Sequence, residues 1–339
     1  MSFVATPWSA PSWMKTKNSL IAESESNTLI DSDQVYQSYA QYFLKIVEAF
    51  ADRKLNISYI TLQNEPLFGT SVEYPGMYFD AKQAARLGKL VRDTLPSYVG
   101  ILAYDHNWDH PEYPASVISA EPSCVTGVAW HCYGGDMAVA LDKMQLLYPY
   151  PSYPQHITEC TGGFPNSVRD ITQGLSGFGY NHEWDMNNIF LGASSHYAVS
   201  GVKWIIALDE NCGPVLPLVS WRSGRPVVSI PTNASSMSDI RFNQDFWSIS
   251  HMSRFVLPGS IRIRSQVIGT HTSSLLVTES FLFPTTQQIS MIAMNTDKQN
   301  PVSVIIKQGS ILFSHSIPPF STVVFQWTNH TTTTTTTQY

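Results

Sequence analysis

Two strings in this chain end a strand-like run on a lone glutamate: Ile60-Thr61-Leu62-Gln63-Asn64-Glu65-Pro66 and Gln155-His156-Ile157-Thr158-Glu159-Cys160-Thr161-Gly162. In both, turn-forming residues follow at once. Two carboxylates distant in sequence, each at the end of its own strand, can face one another across a barrel mouth. That pairing is what cleavage of a glycosidic bond requires.

Glu65 lies between Asn64 and Pro66, so the proline biases its backbone toward extended conformations, and the Asn64 amide is placed to bond a substrate hydroxyl. It reads as a general acid/base, a role that asks for a raised pKa. The alternative is an exposed loop glutamate or an acid at a helix N-terminus. Glu159 is followed by small residues that leave room for a ligand, and it reads as the nucleophile that forms a glycosyl-enzyme. Its alternative is a cap on the following helix.

Trp130-His131-Cys132-Tyr133-Gly134-Gly135 closes the strand before the one that carries Glu159. The Tyr133 hydroxyl can therefore donate to that carboxylate and hold it ionised, or else be a buried tyrosine satisfied by backbone. Trp8, after the first strand, and Trp204, within the last, can wall the mouth and stack on a sugar ring, with core burial as the other reading. Asp105, His106, Asn107 and Trp108 form a polar cluster at another strand end, suited to line further subsites. Asp209 and Glu210, after the last strand, read as further polar candidates or as solvated charges.

The elements that must position these groups alternate short apolar runs with amphipathic stretches, the rhythm of a parallel-strand protein. Six strands are predicted: 3–6, 57–63, 100–105, 125–131, 156–158 and 202–208. Helices are predicted over 32–51, 80–95, 184–199 and 244–256, the first capped by Asp31-Ser32-Asp33. After Pro258-Gly259 the pattern turns to β segments of five to eight residues with Gly-, Pro-, Asn- and Thr-rich turns, which predicts a small antiparallel sandwich. The organisation is thus a barrel domain over 1–256, a β-sandwich over 257–327 and a Thr-rich tail over 328–339, expected to be disordered or O-glycosylated.

Composition narrows the class. A net charge of −6 offers no basic stripe for phosphates, so nucleic acid is not an expected partner. Aromatics at 12%, with nine Trp and sixteen Tyr, suit stacking on sugar rings. Four cysteines without a CxxC pair do not predict a structural zinc site, and they permit two disulfides without demanding any. The amino terminus lacks the pattern of a signal peptide, and no apolar run is long enough for a transmembrane segment. Sequons at Asn56, Asn233 and Asn329 suit a secreted protein.

The segments Thr6-Pro-Trp8-Ser-Ala-Pro-Ser-Trp13-Met-Lys-Thr16, Asn64-Glu65-Pro66, His131-Cys132-Tyr133, Thr158-Glu159-Cys160-Thr161-Gly162 and Phe246-Trp247-Ser-Ile-Ser-His251-Met-Ser-Arg254-Phe-Val-Leu-Pro-Gly-Ser260, in that order, resemble family 30 glycoside hydrolases over residues 3 to 327. The resemblance implies a retaining β-glycoside hydrolase on a (β/α)8 TIM barrel with a β-sandwich side domain, and no metal or organic cofactor. It makes Glu65 the acid/base and Glu159 the nucleophile. It gives Asn64 the sugar 2-hydroxyl, places Trp8, Tyr133 and Trp204 in the glycone pocket, and counts His131 among the substrate-binding residues.

Within the family, Asn64-Glu65-Pro66-Leu67, Trp130 to Gly135, Glu159 to Gly162 and Gly213-Pro-Val-Leu-Pro217 look closer to endo-1,6-β-glucosidases than to glucosylceramidases. The expected substrate is accordingly a β-glucan, with glucosylceramide as the alternative and an inactive, sugar-binding copy as a further one. By the family's strand order the first strand seen here is the third of the barrel. The first two strands are then absent, and the natural protein is expected to be longer, led by a signal peptide and directed outside the cell or to the lysosome.

Overall fold

The computed structural model describes residues 2–70, 73–147, 152–162, 174–215, 224–269 and 275–329. Six strands pair in sequence order, every neighbour parallel: β1 (Phe3–Ala5), β2 (Ile57–Thr61), β3 (Gly100–Asn107), β4 (Gly127–His131), β5 (Gln155–Cys160) and β6 (Ala198–Lys203). This is a TIM-like half-barrel. Its central strands are covered on both faces, β4 along its whole length and β3 up to its last residue. That explains why they read as continuous apolar runs.

Helices cross over between the strands. In α1 (Asp33–Asp52), Tyr36, Tyr39, Ala40, Phe43 and Val47 recur at three- and four-residue spacing and are the buried face. Each large side chain so covered contributes about 1.5–3 kcal/mol. The predicted acidic cap at its start is not formed. Ser32 is the N-cap without a side-chain bond, and Asp31 and Asp33 instead pair with Arg86 of α2 (Ala81–Thr94) at 2.5 and 2.6 Å. Helix α2 begins with a reciprocal capping box between Asp80 and Gln83. Two short helices that the apolar spacing did not single out follow β3 and β4: α3 (Glu112–Ala120) and α4 (Met137–Asp142).

The sixth strand differs from its predicted span. Residues 198–203 pair with β5, and the predicted helix over 184–199 gives way before them, ending at Ser195. Trp204 consequently lies just past the strand end.

The described residues fall into two compact units, one containing the parallel sheet and the other most of the chain beyond Ile205. The second unit contains a small sheet of β7 (Ala207–Leu208), β8 (Val228–Ser229) and β9 (Arg241–Phe242). It also contains antiparallel strands β10 (Ile261–Ile263), β11 (Leu276–Phe283), β12 (Gln288–Asn295) and β15 (Ser321–Thr328), and the hairpin of β13 (Val302–Gln308) and β14 (Ile311–Ile317). Ile289, Ile292, Ala293 and Met294 of β12 are buried there with Val302, Ile306 and Ile317. Thr328 closes β15, and the Thr-rich tail from residue 330 lies outside the described residues, as does the second half of the Gly213 to Pro217 motif.

Candidate active site

The two glutamates, Asp105, His131, Tyr133 and the tryptophans sit at one edge of the parallel sheet, the C-terminal ends of its strands, where barrels of this architecture carry their chemistry, whereas Asp209 and Glu210 follow β7 of the other unit. Trp8 follows β1, Glu65 follows β2, Asp105 is near the end of β3, His131 ends β4 with Tyr133 two residues on, Glu159 is the penultimate residue of β5, and Trp204 follows β6.

Three local irregularities aim these groups. On β3, Tyr104 and Asp105 adopt positive φ of 85° and 67°, and the ladder to β4 skips a residue there. That bulge turns Asp105 inward. On β5, Trp130 pairs with Ile157 but His131 with Glu159, so Thr158 is an extra residue that brings Glu159 opposite His131. Glu65 itself has φ of 44°, not the extended conformation that a following proline favours. Such a backbone costs about 1–3 kcal/mol. It is held by the Glu65 N–H donating to the Asp105 carbonyl at 3.0 Å and the Asn64 N–H donating to the Pro7 carbonyl at 2.9 Å.

Asp105 is the hub beneath the glutamates. Thr61 and Thr158 donate their hydroxyls to it at 2.7 and 2.6 Å, and His131 Nε2 lies 3.1 Å from its Oδ1. The other imidazole nitrogen, Nδ1, lies 3.2 Å from Glu65 Oε1. His131 is buried with carboxylates on both sides. Burial alone would lower its pKa, but the bonds to Asp105 and Glu65 outweigh that and raise it to about 10, so the ring is an imidazolium. Burial likewise works against the Asp105 charge, and the bonds from His131, Thr158 and Thr61 overcome it, leaving this carboxyl below its ordinary range.

Tyr133 donates its hydroxyl to Glu159 Oε1 at 3.0 Å. Its backbone N–H is held by Asn107 Oδ1 at 3.1 Å, and the loop behind it turns through Gly135 at φ 83°, where a Cβ would stand 2.4 Å from the Asp109 nitrogen. The expected bond is present, yet it does not set the charge state expected of Glu159. Burial pushes that carboxyl up to about 7, Glu65 adds to the rise, and the opposing pull of His131 and Tyr133 is smaller.

The aromatic wall continues beyond its expected members. Trp8 and Trp204 lie 5.9 Å apart at 31°, Tyr74 meets Trp8 edge-on at 5.3 Å, and Phe68 stacks on Tyr74 at 6.5 Å and 13°. Gln63 fixes the Trp8 backbone by donating to its carbonyl at 2.8 Å.

The structure therefore brings Glu65, Glu159, His131 and Tyr133 together, with Trp8 and Trp204 forming one wall, and leaves Asn64 6% exposed beside Glu65. His131, expected among the substrate-binding residues, is enclosed: its side chain is 1% exposed and both ring nitrogens face carboxylates. Asp105, expected near further subsites, is equally enclosed. The inward polar residues Thr61 and Thr158 were a readable sign of a buried acceptor, because a threonine on the covered face of a strand needs a partner.

Residues 1–256 match the glycosyl hydrolase family 30 TIM-barrel domain. The chain belongs to glycosyl hydrolase family 30. Among relatives in this family, it is 28% identical over 290 residues to the endo-1,6-beta-D-glucanase neg1 of Aspergillus fumigatus, covering 81% of this chain and 54% of that protein. It is 37% identical over 191 residues to an endo-1,6-beta-D-glucanase of Trichoderma harzianum, covering 51% and 38% respectively. It is 25% identical over 346 residues to the lysosomal acid glucosylceramidase of Mus musculus, covering 96% and 62%. A solved endo-beta1,6-glucanase superposes with a TM-score of 0.79 at 24% identity, over 96% of this chain and 71% of that one, a likeness of fold. The chain spans about half the length of the first of these relatives.

Proposed function

We propose that this family 30 chain carries the catalytic pair of a retaining β-glycosidase that cleaves β-1,6-linked glucan. The observation that supports it best is the approach of Glu65, from the end of β2, and Glu159, from the end of β5, to His131 and Tyr133 at the end of β4. In this reading Glu65 protonates the leaving oxygen while Glu159 attacks the anomeric carbon. Water then resolves the glycosyl-enzyme, with Glu65 acting as base. His131 and Asp105 position Glu65 from behind, and Trp8 and Trp204 offer faces to a glycosyl ring. The row of rings from Trp204 through Trp8 and Tyr74 to Phe68, the last 42% exposed, suits a substrate of several sugar units.

Substrate choice rests on the relatives whose names specify endo-1,6-beta-D-glucanase. The second reading, glucosylceramide hydrolysis, is supported by the match to the mouse glucosylceramidase. For either, we place the protein outside the cytosol, in the extracellular space or the lysosome, because Cys132 and Cys160 form a disulfide. Among the described residues no helix is long and apolar enough to cross a membrane.

Incubation of the chain with linear β-1,6-glucan and, separately, with glucosylceramide in detergent micelles tests the proposal, with proton NMR following the first reducing end released. Glucan oligosaccharides appearing first as the β-anomer are expected. Ceramide release without glucan cleavage would move the chain to the lipid reading, and an α-anomer first would rule out double displacement. Glucan binding without hydrolysis of either would leave a sugar-binding protein.

The charge state of Glu159 makes a pH prediction. A nucleophile must be ionised, so kcat/KM rises as pH climbs through about 7, the value to which burial lifts this group. Tyr133→Phe removes a hydrogen bond that favours the ionised form, so the acidic limb of the profile moves to higher pH. A limb that stays in place, or moves down, would show that Tyr133 does not tune Glu159.

A further inference from the structure

We propose that the Cys132–Cys160 disulfide is a positioning element of the active site, clamping the Tyr133 hydroxyl against the Glu159 carboxylate. The inference deepens the hydrolase reading above and rests on it for the word active; its structural content does not.

Each half-cystine is the immediate chain neighbour of a site residue. Cys132 stands between His131 and Tyr133, and Cys160 follows Glu159, with the two Cα atoms 5.2 Å apart. The cross-link falls beside the register slips of the backbone ladders. Between β4 and β5 the register slips at Thr158, and between β5 and β6 it slips again between Ile157 and Cys160. Glu159 therefore sits on a stretch whose pairing slips on both sides, with His131 opposite it on β4 and the β6 ladder interrupted between Ile157 and Cys160. The disulfide adds a covalent tie toward β4 one residue beyond that pairing. Toward β6, the Cys160 carbonyl accepts the Trp204 N–H at 2.9 Å. One residue thus ties Tyr133, Glu159 and Trp204 to a common frame. Cys160 is fully buried and Cys132 is half-buried.

A hydrogen bond between a hydroxyl and a carboxylate weakens steeply once its angle falls below about 120°. Release of the clamp should therefore register at Glu159. The charged or titratable groups facing it are His131, Glu65, Tyr133 and Asp105, and of these the clamp directly holds the strand end that bears His131 and Tyr133.

The test compares the full chain with Cys132→Ser/Cys160→Ser, following the Glu159 side chain by NMR of carbon-13-labelled glutamate, assigned with Glu159→Gln. The double-serine chain should titrate at higher pH than the parent and lose about 10- to 100-fold in kcat, the range of one bond to a charged group. Adding Tyr133→Phe to it should change the titration little, since that contact is already loose.

A titration identical to the parent, accompanied only by a lower thermal midpoint, would reduce the disulfide to a general staple and overturn the proposal. Full additivity with Tyr133→Phe would overturn it as well. If the serine chain does not fold, the folded parent is reduced with a water-soluble phosphine, the S–S bond giving two thiols as the phosphine takes oxygen from water to become its oxide and the water protons go to the sulfurs. The same titration shift is then expected, and its absence in the reduced, still-folded chain overturns the proposal. The titration needs no substrate, so a chain inactive on every glycan but with a shifted Glu159 would retract the hydrolase reading and keep this one.

Discussion

Glu159→Gln abolishes turnover, with an expected loss of roughly 10⁴-fold or more in kcat, the scale seen when a covalent nucleophile is removed. Glu159→Gly in the presence of azide recovers activity and yields a glycosyl azide of inverted configuration, because a small anion then occupies the vacated space on the same face of the sugar. The corresponding Glu65→Gly chain, given a substrate with a good leaving group, yields an azide of retained configuration. This pair of products decides the assignment of roles. The lifted pKa of Glu159 is the one feature that would suit an acid better than a nucleophile. An inverted azide from the Glu65 variant would exchange the two roles.

Asp105→Ala should be the most destabilising single change in the site, by about 3–5 kcal/mol, because it strips a buried imidazolium of its main counter-charge. Thr61 and Thr158 would also lose their acceptor. The denaturant midpoint falls while its slope stays the same, and Asp105→Asn, which keeps the shape, falls less. An unfolding free energy within about 1 kcal/mol of the parent would show that the hub is not one.

The sign of the accompanying pH effect follows from His131. Its pKa is raised in the folded chain from 6.5 to about 10, so its stabilising contribution is fully present below 6.5 and drains away as pH rises through about 10. The parent's thermal midpoint should decline across that window, and Asp105→Ala should flatten the decline.

Much of this arrangement was legible in the chain because strand ends carry their own punctuation. Ile57 to Glu65 and Gln155 to Glu159 are strand-forming runs that stop at a proline or at small residues, so each glutamate could be placed at a strand end. Strand order makes the Tyr133 to Glu159 contact one of two readings of that tyrosine, and it is the one formed.

What escaped has a common physical origin. Asp105 groups in sequence with residues suited to line further subsites, since nothing in Tyr104-Asp105-His106 announces a bulge, and a one-residue bulge reverses which side chain faces inward. The enclosure of His131 is hidden there because its partners, Asp105 and Glu65, come from other strands. The shift of β6 to residues 198–203 reflects pairing with β5, a tertiary effect that overrides local pattern. The disulfide could not be read from four widely spaced cysteines, and Cys124 and Cys212 remain buried thiols.

The left-handed backbone at Glu65 bears on protein engineering. Because that conformation is secured by the carbonyl of Asp105, the aim of the carboxyl is set by a neighbouring segment and not by the tripeptide that contains it. Transplanting Asn64-Glu65-Pro66 into a foreign scaffold would carry the functional group without its bearing. A working graft would have to bring along the kinked end of the third strand, and directed evolution of this chain should find that kink among the least replaceable parts of its backbone.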